Sequence, residues 1–333
     1  MPLVSTDLPP PDAGALAHSE NVAAHIRSTI NEAGGVIAFS AYMRLALYAP
    51  GLGYYRAGTE KFGAAGDFVT APEISPLFGQ TVARQIGATL AACHGDTVLE
   101  LGAGSGRLAL EVLRTLDEEN RLPEHYLILE VSAELAARQR SLLAREPDLV
   151  ARVEWLDRLP GKPIHGVLFA NEVADALPVE RFRRDEQTIC RRGVGMERGR
   201  FVWRDLEADD AFERRIRGLA ERYAWSTPYE SECSPELGPW IQALAGALER
   251  GLILLFDYGL PEREYYHAQR DMGTLLCHYR HRAHEDPFLW PGLCDITAWV
   301  DFSALARAGE EAGLEVAGYT TQANFLVGGG IGE

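Results

Sequence analysis

The chain has 333 residues, 47% hydrophobic and 24% charged, enough to bury one large core or two modest ones, and its formal charge is −16. That charge argues against a nucleic-acid backbone as the main partner, because phosphates reward basic grooves; it suits a basic protein segment, or simply keeps the chain soluble. The strongest apolar run, Gly251 to Phe256, is too short to cross a bilayer, so no membrane span is expected.

Met1 to Asp12 carries Pro9, Pro10 and Pro11 but no basic stretch followed by an apolar one, so neither a secretory signal nor a transit peptide is expected. Cys93, Cys190, Cys233, Cys277 and Cys294 are scattered without a CxxC pair. That pattern speaks against a disulfide framework and a zinc ribbon and points to a reducing cytoplasm. Apolar residues at helical spacing from Ala15 to Glu32 predict a first helix that Gly34-Gly35 ends. Ser40 is expected to cap a second helix through Leu47, stopped by Pro50 to Tyr54, and glycine-rich residues 55 to 75 read as a long loop.

A helix from Pro76 to Ala92 precedes a change of grammar. Thr97-Val98-Leu99-Glu100-Leu101 predicts a buried strand, Leu108 to Leu116 a helix, Tyr126 to Glu130 a strand and Ala133 to Leu143 a helix, followed by strands at Val153–Trp155 and Gly166–Ala170. Such alternation predicts a doubly wound α/β fold with a parallel sheet. Residues 180 to 205 predict a β-hairpin; helices at about 209–223 and 235–250 lead back to a central strand at Leu252–Asp257. After a loop at 273–295, a helix near Phe302–Ala312 and two strands, Leu314–Thr320 and Ala323–Val327, are expected to close the sheet with an antiparallel edge.

The first strand ends in Glu100-Leu101-Gly102-Ala103-Gly104-Ser105-Gly106. Glycines there let the backbone approach a ligand closely. The dinucleotide fingerprint needs a glycine or alanine where this chain has Arg107, so a diphosphate is disfavoured. S-adenosylmethionine has no phosphate but presents an ammonium, which suits Glu100, and a ribose whose two hydroxyls suit Glu130 at the next strand end. Asp157, beyond the third strand, can accept from the adenine amino group or stand as a solvated loop acid.

Beyond these local marks, the chain resembles the MidA-like family of S-adenosylmethionine-dependent methyltransferases. The resemblance is carried by Tyr48–Tyr55, Gly66–Ser75, the glycine turn, Ala170–Val179, Asp257-Tyr258-Gly259, Gly273-Thr274-Leu275 and Asp295–Phe302. It implies a class I methyltransferase fold with a Rossmann-like seven-stranded sheet and, for mitochondrial relatives that assist complex I assembly, methylation of an arginine in a complex I subunit. Residues 1–92 would then cover the cofactor and 93–333 form the catalytic domain, with an inserted cap at about 180–250. Asp67, Phe68 and Glu73 would fold over the cofactor from the long loop. Trp299 stands where the family usually has a histidine, so a role given to that histidine elsewhere is absent here.

Methyl transfer needs alignment of nucleophile, methyl and sulfur, and no metal. A planar, protonated guanidinium needs carboxylates to grip it. Asn171-Glu172-x-x-Asp175 follows a strand's carboxyl end, and a helical turn there would put Glu172 and Asp175 on one face. Asn171, Glu172 and Asp175 are therefore the candidate catalytic residues, while Glu180 only loosely resembles the second glutamate of familiar arginine methyltransferases. His278, His281 and His284 invite a metal reading, but their spacing would rotate them around a helix and Arg280 and Arg282 would repel a cation; a polar loop facing an acceptor or partner fits better. A non-catalytic assembly factor that holds a client protein is the competing function, and a homodimer is left open.

Overall fold

The computed structural model describes residues 8–57 and 71–331. The chain forms two compact units, one from Met1–Thr59, Ala174–Leu237 and Tyr258–Leu305, the other from Glu60–Val173, Gly238–Asp257 and Ala306–Glu333. They part elsewhere than the expected division at 92/93. Helix Pro76–Cys93 belongs with the sheet unit, because its Phe78, Val82, Ile86 and Leu90 share one core with Val98, Leu113 and Phe169.

The sheet unit holds five parallel strands: β1 (Thr97–Leu101), β2 (His125–Leu129), β3 (Val153–Leu156), β4 (Ile164–Asn171) and β5 (Leu248–Phe256), in the order β5-β4-β1-β2-β3. Every residue of β1 is buried, as a central strand covered on both faces requires. The helix Arg107–Glu118 that follows buries Leu108, Ala109, Val112, Leu113 and Leu116, a 3.6-period stripe against the sheet. Helix Pro76–Cys93 approaches it closely at Gly79, where an added Cβ would lie 2.8 Å from the Glu111 Cβ. The order of the strands reverses direction between β1 and β4, and open α/β sheets place ligands at the carboxyl ends flanking such a switch.

The doubly wound α/β class stands, but the closing pair of strands does not form. Residues 314–321 are in no regular element and Gln322–Gly328 is a helix. The run Ala323–Val327 is too short for periodicity to decide; Thr321 caps its first turn by accepting from the Asn324 amide, and Phe325 and Leu326 pack against the sheet core.

The other unit is antiparallel. Val36–Ala38, Ile189–Glu197, Glu180–Arg184 and Tyr229–Cys233 pair in that order, and Arg200–Glu207 returns along Ile189–Glu197 as the expected hairpin. Its turn is Arg198-Gly199, both left-handed. Helix Asp210–Tyr223 contributes Ile216, Leu219 and Ala220 to a core with Phe182, Trp225, Tyr229, Tyr265 and Tyr266. Ser40 is not a cap: the helix Phe39–Tyr48 begins before it, and its hydroxyl donates to Glu180 Oε1 instead. The expected loop at 273–295 contains strands Leu276–Tyr279 and Arg282–His284, which join Asp295–Thr297 in a small sheet.

Candidate cofactor and acceptor site

Gly102, Gly104 and Gly106 all have positive φ, 63°, 53° and 85°, so each of the three turn positions requires a backbone that side chains resist. Gly102 donates its amide to Leu129 O at 2.9 Å, which ties the turn to β2. Gly106 is the N-cap of Arg107–Glu118 and supplies no side-chain cap; Ser105 Oγ accepts from the Arg107 amide, at 3.3 Å. The helix therefore begins with amides turned to the strand ends. Glu73 reaches this turn from the helix Ala71–Ile74, accepting the Ser105 hydroxyl on Oε1 and lying 3.5 Å from Arg107 Nη1. Asp67 and Phe68 lie outside the described residues.

Glu100 is buried within β1, and the Tyr126 hydroxyl donates to its Oε2 at 2.6 Å. Burial pushes the carboxyl up to about 8; the tyrosine bond opposes the rise and the Glu130 charge adds to it. A cation arriving beside it would favour the charged form. Glu130 sits one residue past β2, half-buried, its Oε1 accepting from Ser132 N at 2.8 Å and its Oε2 from Gln139 Nε2 at 2.9 Å. Asp157 follows β3, one strand further out, with its side chain 89% exposed and Arg158 Nε 3.7 Å away.

At the end of β4, across the switch from the turn, Leu101 is in register with Ala170, so Asn171 is the next residue outward. Its Oδ1 is buried and finds no hydrogen-bond partner among the described residues. Glu172 has φ 53°, a left-handed conformation that non-glycine residues seldom adopt, and its amide donates to Phe256 O at 2.8 Å. The Val173 amide donates to Asp257 Oδ2 at 3.1 Å. The expected helical turn carrying Glu172 and Asp175 on one face is thus absent: the backbone reverses at Glu172, and a single 3-10 turn, Ala174–Ala176, starts beyond it.

Asp175, in the antiparallel unit, is 8% exposed and its carbonyl accepts from Ala298 N at 2.9 Å. Around it sequence reasoning missed a group of aromatic and acidic side chains. The Tyr48 hydroxyl donates to Ala176 O at 3.0 Å, the Tyr55 hydroxyl donates to Asp295 Oδ1 at 2.8 Å, and the two rings stack with centroids 5.5 Å apart. Burial, then the charge of Asp295, raises both phenols. The family-like segments Tyr48–Tyr55 and Asp295–Phe302 were the only signal, and nothing local in them says that they meet. Glu180 begins its own strand and holds Ser40.

The three histidines are not on a helix or an irregular loop. His278 and His284 lie on paired strands and His281 is in the turn between them, so alternation separates their side chains. Burial lowers His278 and His284, and each is kept nearer its neutral form. Trp299 lies under the Arg270 guanidinium at 4.8 Å, and its amide donates to Thr274 Oγ1.

A glycine cradle facing open helix amides, an orphaned amide oxygen at the strand switch and carboxylates at two strand ends fit an adenosyl amino acid with a ribose diol and a cationic centre. Residues 81–320 match the family described as "Putative S-adenosyl-L-methionine-dependent methyltransferase". The chain belongs to this family. The methyltransferase is similar to a crystal structure from Burkholderia thailandensis bound to S-adenosyl-homocysteine, with 46% identity, a TM-score of 0.92, and 98% of this chain and 84% of that one covered. Curated relatives include protein arginine methyltransferase NDUFAF7, mitochondrial, from Danio rerio, 29% identical over 94% of this chain and 77% of its own. The Homo sapiens protein of that name is 28% identical over 82% and 65%.

The fold is thus the class I methyltransferase fold, with five strands in its parallel sheet among the described residues where seven were expected, the cofactor S-adenosylmethionine and the activity methyl transfer, as the MidA-like resemblance implied. The expected cytoplasmic location is corrected, since the named relatives are mitochondrial. Scattered free cysteines report reducing conditions and do not distinguish one reducing compartment from another. Among the described residues no helix is long and apolar enough to cross a membrane.

Proposed function

We propose that this methyltransferase methylates arginine in a protein substrate, as the names of its relatives suggest, with a respiratory complex I subunit as the candidate that the MidA-like resemblance implied. Bound S-adenosylmethionine supplies a methyl carried on a sulfonium. In this reading the turn amides of Gly102, Gly104 and Gly106 line the cofactor's amino-acid end, Glu100 faces its ammonium, Glu130 accepts from the ribose hydroxyls and Asp157 from the adenine amino group. Glu73 flanks it from the side of Ser105 and Arg107. Glu172 grips the guanidinium, aims one nitrogen and accepts charge as its proton leaves, and Asn171 orders the acceptor beside it. The −16 charge favours a basic protein segment.

The observation that carries the reading is the left-handed Glu172 at the carboxyl end of β4, held there by Phe256. Incubation with labelled S-adenosylmethionine and the homologous complex I subunit, followed by amino-acid analysis, tests it. Labelled arginine is expected, and Glu172→Gln should lower kcat by about 100-fold while leaving the affinity for S-adenosylhomocysteine within about 3-fold. No labelled arginine at saturating cofactor would sink the proposal.

A further inference from the structure

Gln139 was not singled out by any motif, yet it is fully buried, at 0% exposure, in the helix Ala133–Leu143. Long polar side chains are rarely buried without partners, and this one spends both amide hydrogens and one oxygen lone pair inside the cofactor half of the fold. Its Nε2 donates to Glu130 Oε2 at 2.9 Å and to Gly104 O at 2.9 Å, and its Oε1 accepts from Trp155 Nε1 at 2.9 Å. One nitrogen therefore bridges the glycine turn and the acid at the end of β2. The indole, an obligatory donor, fixes which way the amide faces, since the flipped amide would set its oxygen against two acceptors and its nitrogen against the indole N–H.

Gly106 belongs to the same arrangement. A Cβ added there would meet Gln139 Cγ at 3.2 Å, Cα at 3.3 Å and Cβ at 3.4 Å. The third glycine of the turn thus leaves room for the helix that carries Gln139.

We infer that Gln139 is a positioning residue for cofactor recognition: it locks the Glu130 carboxylate to the glycine turn and so sets the ribose-diol selectivity of the site. Ser132 N holds one carboxylate oxygen and Gln139 holds the other, so the plane of the carboxylate is fixed by two donors, one from the N-cap of the helix Ala133–Leu143 and one from within it. A carboxylate fixed in this way rewards a ligand whose two hydroxyls match its orientation, whereas a rotating one would accept either hydroxyl or water with little preference. The inference rests on Glu130 being the ribose acid, which the experiment checks separately.

Calorimetric titration with S-adenosylhomocysteine and with its 2′-deoxyribose analogue supplies the test. The unaltered protein should bind the deoxy ligand about 10-fold or more weakly, as expected for a lost hydrogen bond to a charged acceptor. Gln139→Met keeps the length and the packing on Gly106 but removes the amide; it should weaken S-adenosylhomocysteine about 10-fold and compress the ribose preference to within about 3-fold. Gln139→Glu retains an acceptor for Trp155 and regains a donor only when protonated, so its affinity relative to the unaltered protein should rise as pH falls from 8 to 6. A residue that merely supports the helix would lower melting temperature in both variants and leave the ribose preference and that pH trend unmoved. Retention of the full preference in Gln139→Met overturns the inference while Glu130 stands as the ribose acid. Absence of any preference in the unaltered protein overturns both.

Discussion

The parallel-sheet unit and the antiparallel unit hold their shape by different physics. In the first, fit is made by the main chain: Gly166 of β4 and Gly251 of β5 face each other where any Cβ would lie 1.8 Å from Thr97 O and 1.7 Å from Gly166 O respectively. In the second, fit is made by buried polar side chains. Glu232 is fully buried, and its Oε1 accepts from Thr274 N at 2.7 Å, Thr274 Oγ1 at 2.6 Å and the Tyr265 hydroxyl at 3.2 Å. A cofactor crevice at strand ends demands fixed backbone, whereas the antiparallel unit uses specific side-chain partners to bring its strands and loops into register.

Substituting one residue of each kind should separate the two. Gly166→Ala has the largest expected effect, because φ there is 153° and the new Cβ would collide with a backbone carbonyl that cannot move without parting β1 from β4. A loss of more than about 4 kcal/mol, seen as failure to yield a cooperatively folding protein in urea, is expected. Glu232→Ala comes next, at about 3 kcal/mol, because it strands the Thr274 amide and hydroxyl in a dry interior. Hydrogen exchange should show that its loss of protection centres on Tyr229–Cys233 and spares β1. Uniform loss across both units would break the comparison, since it would mean that side-chain pairing in one unit also supports the sheet in the other.

The same contrast decides what could be read from sequence. Thr97–Leu101, the glycine turn and Glu130 are legible because a buried strand, a tight turn and a strand-terminal acid are local patterns. Gln139 is not, since its partners Gly104 and Trp155 lie 35 and 16 residues away and its own helix looks ordinary. Ser40 reads as a cap by local chemistry, but Glu180, 140 residues on, takes its hydroxyl. The local geometry around Glu172 and Asp175 was misjudged, because acids after a strand suggest a helix start and only the bond to Phe256 reveals the reversal. The tail failed for a related reason: Phe325 and Leu326 are apolar in either a strand or a helix, and burial against a core formed far upstream chooses the helix.

An effect graded with pH sharpens the comparison from within the sheet unit, where Glu100, like Gln139, is an exception to main-chain control. Its carboxyl has a folded value of about 8 against 4.5 for the free side chain, so the folded chain keeps a proton that the unfolded chain gives up over that interval. Stability from this group is complete below the lower value and is lost as pH rises through the upper one. The unaltered protein should therefore lose about 1.4 kcal/mol per pH unit relative to Glu100→Gln between roughly pH 5 and 7.5. Urea denaturation of both proteins at three pH values measures the difference, and parallel curves would mean that the carboxyl is already charged in the folded state. Saturating S-adenosylmethionine should flatten the slope if Glu100 faces the cofactor's ammonium, because a neighbouring cation lowers the folded value toward that of the free acid. A slope indifferent to the cofactor would assign Glu100 to the Tyr126 bond alone and leave recognition of the ammonium to the turn.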